Sequence, residues 1–89
     1  MVNYELGQIV KSTAGRDMGQ YFIIVQMEDV YIYLVDGDSR RLEAPKKKKK
    51  KHVQITHAVP LEIAEKISND DKLSNADIRR SLKDFINED

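Results

Sequence analysis

Few side chains in this 89-residue chain could do chemistry, and most of those fall short of a site. His52 and His57 stand five residues apart, with no cysteine in the sequence and no flanking carboxylate cluster, a spacing that matches no common zinc arrangement. They read as two exposed histidines beside a basic stretch. Asp36 and Asp38 invite a calcium reading, but such a loop needs further oxygen ligands and a bidentate Glu at its twelfth position, and Arg40 and Arg41 intrude instead. Turn formation is the simpler role. Gly15 and Gly19 are not followed by the Gly-Lys-Ser/Thr ending of a phosphate loop. Ser12 and Thr13 have no candidate base near them in sequence. The expectation is therefore no catalytic residue, no metal, no cofactor and no enzymatic activity.

What remains is charge, and its location matters more than its sum. The formal net charge is zero. Residues 1–38 carry Lys11 and Arg16 against six acidic residues, and residues 53–89 carry five basic and eight acidic ones. Between them, residues 39–52 hold eight basic residues, namely Arg40, Arg41, Lys46, Lys47, Lys48, Lys49, Lys50 and Lys51, against Glu43 alone. Six consecutive lysines repel one another, so they are expected to be solvated, outside any core, and either mobile or bound to a polyanion. Lysine is a flexible point charge that reads no base, which points to phosphate contacts without sequence specificity. A basic cluster of this kind is the usual electrostatic footprint of nucleic-acid binding. A membrane surface is the weaker polyanion, since the chain has no Trp and its helical segments show no strongly basic amphipathic face. Arg79, Arg80 and Lys83 could extend the basic surface, but Asp84 lies four residues after Arg80 and offers a local ion pair.

The elements that must position these charges follow from the hydrophobic pattern. Residues 6–12 read as a first strand, with Leu6 and Val10 on one face, Ile9 on the other, and Gly7 as a bulge or close-approach position. Two glycines and an aspartate mark a turn over residues 14–19. Residues 21–27 and 30–35 are rich in β-branched and aromatic side chains, with only Glu28 and Asp29 between them, and should pair as a hairpin. Asp36-Gly37-Asp38 predicts a second tight turn, leading into a short fourth strand over residues 39–43 that Pro45 ends. Val53 and Ile55 alternate with polar neighbours in a fifth strand over residues 52–56.

Five short strands in so few residues point to a closed or nearly closed barrel. The period then changes. Val59, Ile63 and Ile67 recur every four residues, with Pro60 near the first turn, and predict one short helix. Ser74 followed by Asp77 resembles a capping box, and Ile78, Leu82, Phe85 and Ile86 mark the apolar stripe of a second. The domain reading is a mainly β unit over residues 1–57, including the basic segment 40–52, and a two-helix C-terminal extension over residues 58–89. With no cysteine, no basic start to Met1-Val2-Asn3-Tyr4-Glu5 and no apolar run approaching the roughly 20 residues of a membrane span, a cytoplasmic protein is expected.

One segment carries a family likeness. Gly7-Gln8-Ile9-Val10-Lys11-Ser12-Thr13-Ala14-Gly15-Arg16-Asp17-Met18-Gly19-Gln20-Tyr21-Phe22-Ile23-Ile24-Val25 resembles a KOW motif: a strand opening with Gly and a hydrophobic pair, a loop with charged residues, a Gly at the place taken by Gly19, and a second hydrophobic strand. Asp36-Gly37-Asp38-Ser39-Arg40-Arg41-Leu42-Glu43, followed by Pro45 and the lysines, extends the similarity. The chain as a whole resembles the bacterial KOW-domain RNA-binding proteins related to the fourteen-e, six-e and twenty-seven-e group of large-subunit ribosomal proteins.

That resemblance implies a Src-homology-3-like barrel and binding to RNA, ribosomal RNA first, with ribosomal proteins as possible neighbours. It also places Lys11, Arg16 and Asp17 near the RNA-facing side, beside the basic residues already named and His52. Ribosomal relatives are usually strongly basic, whereas this chain is neutral, which favours a peripheral or transient contact. The alternative is a protein-interaction module of a transcription or translation factor assembly, in which the lysines serve only solubility.

Overall fold

The computed structural model describes residues 3–88, which form five strands and two helices. Strands β1 (Ile9–Ser12), β2 (Tyr21–Met27), β3 (Tyr31–Val35), β4 (Lys46–Lys49) and β5 (Val53–Ile55) lie in the order β4-β3-β2-β1-β5. All four neighbouring pairs are antiparallel. A 3₁₀ turn at Lys50–His52 joins β4 to β5. These two are the edges of the sheet, so strand pairing does not close it, and the expected barrel is not completed by a continuous ladder.

The central strands are largely apolar because their inner face and the helix-covered end of their outer face are both buried. Val10, Phe22, Ile24, Ile32, Leu34 and Val53 form a core on the inner face. On the outer face Ile9, Ile23 and Val35 meet Ile63 of α1 (Leu61–Ser68) and Ile78 and Leu82 of α2 (Asn75–Ile86). The two-residue period of a strand thus sends neighbours such as Ile9 and Val10 into different cores. Gly7 allows α1 to sit close: its φ is +86°, and a Cβ there would stand 3.3 Å from Ile67 and 3.4 Å from Ile63.

Both helices are too short to hold alone in water, and a carboxylate clamps them together. The capping box forms as read, with the Asp77 N–H donating to Ser74 Oγ (3.1 Å) and the Ser74 N–H to Asp77 Oδ2 (3.0 Å). Asp77 also accepts from Lys66 of α1 (2.7 Å) and from Arg80 (2.9 Å). Arg80 reaches on to Glu62 of α1, so the pair expected with Asp84 is not the one made. The apolar stripe of α2 ends at Phe85, which meets the Tyr21 ring edge-on with centroids 5.3 Å apart, whereas Ile86 is exposed.

Besides β5, which is one residue shorter at each end than residues 52–56, with His52 taken into the 3₁₀ turn, three strand boundaries differ from the reading. β1 begins at Ile9 rather than Leu6, because the positive φ at Gly7 breaks the extended chain and Leu6 is exposed. Val30 belongs to the turn, where the Glu28 N–H closes onto the Tyr31 carbonyl (2.8 Å).

The third difference is larger. Residues 39–43 form no strand, because the Asp36 carboxylate accepts from the N–H groups of Asp38 (2.9 Å) and Arg40 (2.7 Å) and from the Ser39 hydroxyl (2.8 Å). These bonds curl the chain into a longer loop. The loop is held against α2 by Asn75, which accepts from the Leu42 N–H (2.8 Å), and by Arg79, which donates to the Gly37 carbonyl (2.7 Å). Pro45 precedes a strand instead of ending one, and that strand is made of lysines.

Candidate nucleic-acid interface

A strand of four lysines needs a reason to exist, and its pairing with β3 supplies one. The register sets Lys46 opposite Leu34, Lys47 opposite Tyr33, Lys48 opposite Ile32 and Lys49 opposite Tyr31. Lys46 and Lys48 therefore share the face of the inner core, and Lys47 and Lys49 share the outer face with two tyrosines. The expectation that all six lysines are solvated fails for this alternation. Lys48 is buried, its aliphatic stem lying on the core face while its ammonium seeks a partner at the rim.

That partner is Asp17. Its Oδ1 accepts from the Lys48 ammonium (2.9 Å) and the Ser12 hydroxyl (2.6 Å), and its Oδ2 from Lys46 (2.6 Å). Lys48 also donates to the Ala14 carbonyl (2.7 Å). The Lys48 and Asp17 side chains are only 8% and 10% exposed, which makes this a largely buried pair rather than a surface ion contact. Burial by itself raises the pKa of Asp17, but the hydrogen bonds from Lys46, Ser12 and Lys48, with the charge of Lys48, outweigh it and hold the carboxyl well below the usual carboxylate range. Among the described residues no buried side-chain nitrogen or oxygen lacks a partner.

The loop between β1 and β2, turned at Gly15 (φ +86°) and Gly19 (φ +91°), is thus pinned to β4 by ion pairs where backbone pairing stops. Asp17, which the family likeness placed near an RNA-facing side, is committed to this tether.

On the outer side, the Lys47 ammonium stands 4.3 Å from the centre of the Tyr31 ring, and the Tyr33 hydroxyl donates to Glu28 (3.2 Å). Lys50, in the 3₁₀ turn, lies 5.4 Å from the Tyr4 ring, whose hydroxyl donates to the Lys50 carbonyl (3.1 Å). Lys51 is exposed. Among the described residues Lys47, Lys49, Lys50 and Lys51 make no ion pair. Their charge is available to a ligand.

The remaining candidates are dispersed. Arg16 and Arg40 meet Lys46 around a shallow cleft of about 280 Å³ between the two loops, with Phe22 at its wall. Arg41 pairs with Glu43 (3.3 Å) on the surface. Lys11 projects from the outer face of β1, 5.7 Å from the Tyr21 ring and separated from β4 by two strands. His52 is half-buried in the 3₁₀ turn, where its carbonyl accepts from the Thr13 N–H (2.9 Å). No cluster of three or more His, Asp or Glu side chains that could hold a metal exists among the described residues, and none of their helices is long and apolar enough to cross a membrane.

Sequence reasoning missed Tyr4, Tyr31 and Tyr33 as parts of this surface. The alternation Tyr31-Ile32-Tyr33-Leu34 was the available signal, since it puts two aromatic rings on the face opposite the core. Neither known protein-family models nor curated proteins match this chain.

Proposed function

We propose that this protein binds RNA through phosphate contacts from Lys47, Lys49, Lys50 and Lys51, beside the cleft that holds Arg16 and Arg40. It does so as a small Src-homology-3-like barrel of the KOW type, without catalysis, at the surface of the large ribosomal subunit. The observation that carries the reading is the sorting of the lysines. Two are spent on Asp17, and the other four, two on β4 and two in the 3₁₀ turn that follows it, have no ion partner among the described residues. Holding these cations on ordered backbone lowers the entropy lost when they meet a polyanion, in contrast to a mobile loop.

The barrel reading draws support from the chain path. In a flat sheet the two edge strands would lie about 19 Å apart, yet β4 and β5 are joined by a three-residue 3₁₀ turn, which spans only about 6 Å. A sheet whose edges are linked so tightly must curl.

The test replaces Lys47, Lys49, Lys50 and Lys51 by Gln and keeps Lys46 and Lys48, so that the tether to Asp17 survives. Binding to a ribosomal RNA fragment should weaken. The slope of log affinity against log salt should flatten by about 3, at roughly 0.7 per unpaired-strand phosphate released. Unchanged affinity and slope would overturn the assignment. Crosslinking in cells followed by sequencing of the attached RNA then addresses the ribosome: recovery of large-subunit RNA supports it, and an association that survives RNase treatment redirects the reading to a protein partner.

A further inference from the structure

We propose that the outer face of β3 and β4 is a platform for unpaired nucleotides, with Tyr31 and Tyr33 stacking on bases and Lys47 and Lys49 holding the adjoining phosphates. The proposal rests on the RNA reading above and names the form of RNA that this face takes.

The register places the four side chains together. Tyr33 is directly opposite Lys47 and Tyr31 directly opposite Lys49, so rings and ammonium groups interleave on one surface. Tyr31 and Tyr33 share the face of Val35, but only Val35 is packed under the helices; neither tyrosine belongs to a core cluster and both are partly exposed. The helices cover one end of the outer face and leave this end open.

Geometry and charge favour single strands here. Cα atoms two apart in a strand are about 6.8 Å from one another, roughly twice the 3.4 Å rise between bases stacked along a nucleic-acid strand. Two consecutive bases can therefore each meet a tyrosine only after parting from one another. Bases inside a duplex have both faces occupied, and a duplex meets proteins through its backbone and grooves instead. Lys47 lies over the Tyr31 ring, so a base that stacks on that face displaces the ammonium, whose flexible stem lets it move to the adjoining phosphate. Glu28, bound by the Tyr33 hydroxyl, sets a negative charge beside that ring, which repels a phosphate and leaves the position to an uncharged base. Aromatic stacking of this kind tolerates any base, in keeping with lysine contacts that read none.

The experiment compares a short single-stranded oligouridylate with an RNA hairpin duplex carrying the same number of phosphates. Wild type should prefer the single strand by about tenfold or more. The Tyr31→Val/Tyr33→Val double variant, whose β-branched residues suit a strand, should lose about tenfold or more on the single strand and little on the duplex. Tyr31→Phe/Tyr33→Phe should keep most of the wild-type affinity. The chain has four Tyr and no Trp, so tyrosine emission of the wild type gives a second readout that needs no variant. It should be quenched by the oligouridylate and not by the duplex. Equal affinity for both RNAs, or an equal loss on both in the Val variant, would overturn the platform and leave phosphate binding standing. Failure of the wild type to bind either RNA would overturn both.

Discussion

Replacing Asp17 by Asn removes one negative charge from between two ammonium groups while keeping the size of the side chain. Lys46 and Lys48 would then face each other across a neutral amide, and Lys48 would retain only the Ala14 carbonyl, at 2.7 Å, as a strong acceptor. Breaking a buried ion pair from one side costs about 3–5 kcal/mol. The lower part of that range or slightly below applies here, because Lys46 is 26% exposed and both long stems can swing their ammonium groups toward water. A loss of about 2–3 kcal/mol is expected, equivalent to a fall in Tm of roughly 8–24 °C for a domain of this size. Lys47→Gln and Lys51→Gln, on the solvent side, should each stay within about 0.5 kcal/mol of wild type. Lys48→Met keeps the stem and leaves Asp17 with Lys46 and Ser12, so it should cost less than Asp17→Asn. Combining the two should recover about 1 kcal/mol or more relative to additivity.

Urea unfolding at pH 7, with the midpoint compared at constant m value, measures all of these. If Asp17→Asn proves as mild as Lys47→Gln, the lysines are an ordinary solvated run and the account of β4 given above is wrong. The same variant separates stability from binding, since it raises the local positive charge by one and should not weaken RNA affinity in the folded state.

Three further outcomes follow from the packing. Asp17 and Asp77 both titrate below their ordinary value of 3.8 in the folded chain, so the folded state holds fewer protons than the unfolded state in acid. The stability they contribute is complete above about pH 5 and is lost as pH falls through the unfolded value toward the folded ones. Urea melts from pH 7 to pH 2.5 should show that fall, and a double Asp17→Asn/Asp77→Asn variant with the same acid slope would contradict it. Gly37→Ala should cost roughly 3 kcal/mol, because its φ is +79° and a new Cβ would strike the Asn75 carbonyl and come within 2.9 Å of Arg79 Cγ. Gly19→Ala, at φ +91° with nothing within 4 Å, should cost only the left-handed penalty of about 1 kcal/mol, and equal effects in thermal melts would refute the close approach at Gly37. Ser74→Ala removes one half of the capping box and should cost about 1 kcal/mol by the same melts, whereas no change would mean that Lys66 and Arg80 already hold Asp77 in place.

How much of this was legible depended on contrast between neighbouring residues. Strands β2 and β3, the turn over residues 14–19 and the capping box of α2 could be read because apolar, polar and special-purpose residues alternate there in patterns that mean one thing. β4 could not, since a run of identical lysines has no period. Its two faces are distinguished only by what lies across from them: Ile32 and Leu34 on one side, Tyr31 and Tyr33 on the other. The counter-charge that makes the strand possible, Asp17, sits 29 residues before Lys46 in sequence, in a loop whose own composition spoke only of a turn. The Asp-Gly step at Asp36 misled for a related reason. A tight hairpin and an aspartate-capped loop share that dipeptide, and what decided between them was α2, the last element in sequence order, which holds Leu42 and Gly37 through Asn75 and Arg79.

The consequence reaches the binding energetics. Six lysines counted from composition imply a salt slope near −4 on single-stranded RNA, whereas the four that face outward imply one near −3. A measured slope for the isolated chain therefore reports whether Lys46 and Lys48 stay with Asp17. A value at the larger magnitude would require either that Asp17 releases its partners when RNA arrives or that Arg16 and Arg40 replace them at the cleft. Repeating the titration with Asp17→Asn and with Arg16→Gln/Arg40→Gln distinguishes these. Tether release predicts that Asp17→Asn binds more tightly with the same slope, and arginine replacement predicts that the Gln pair brings the slope back to about −3.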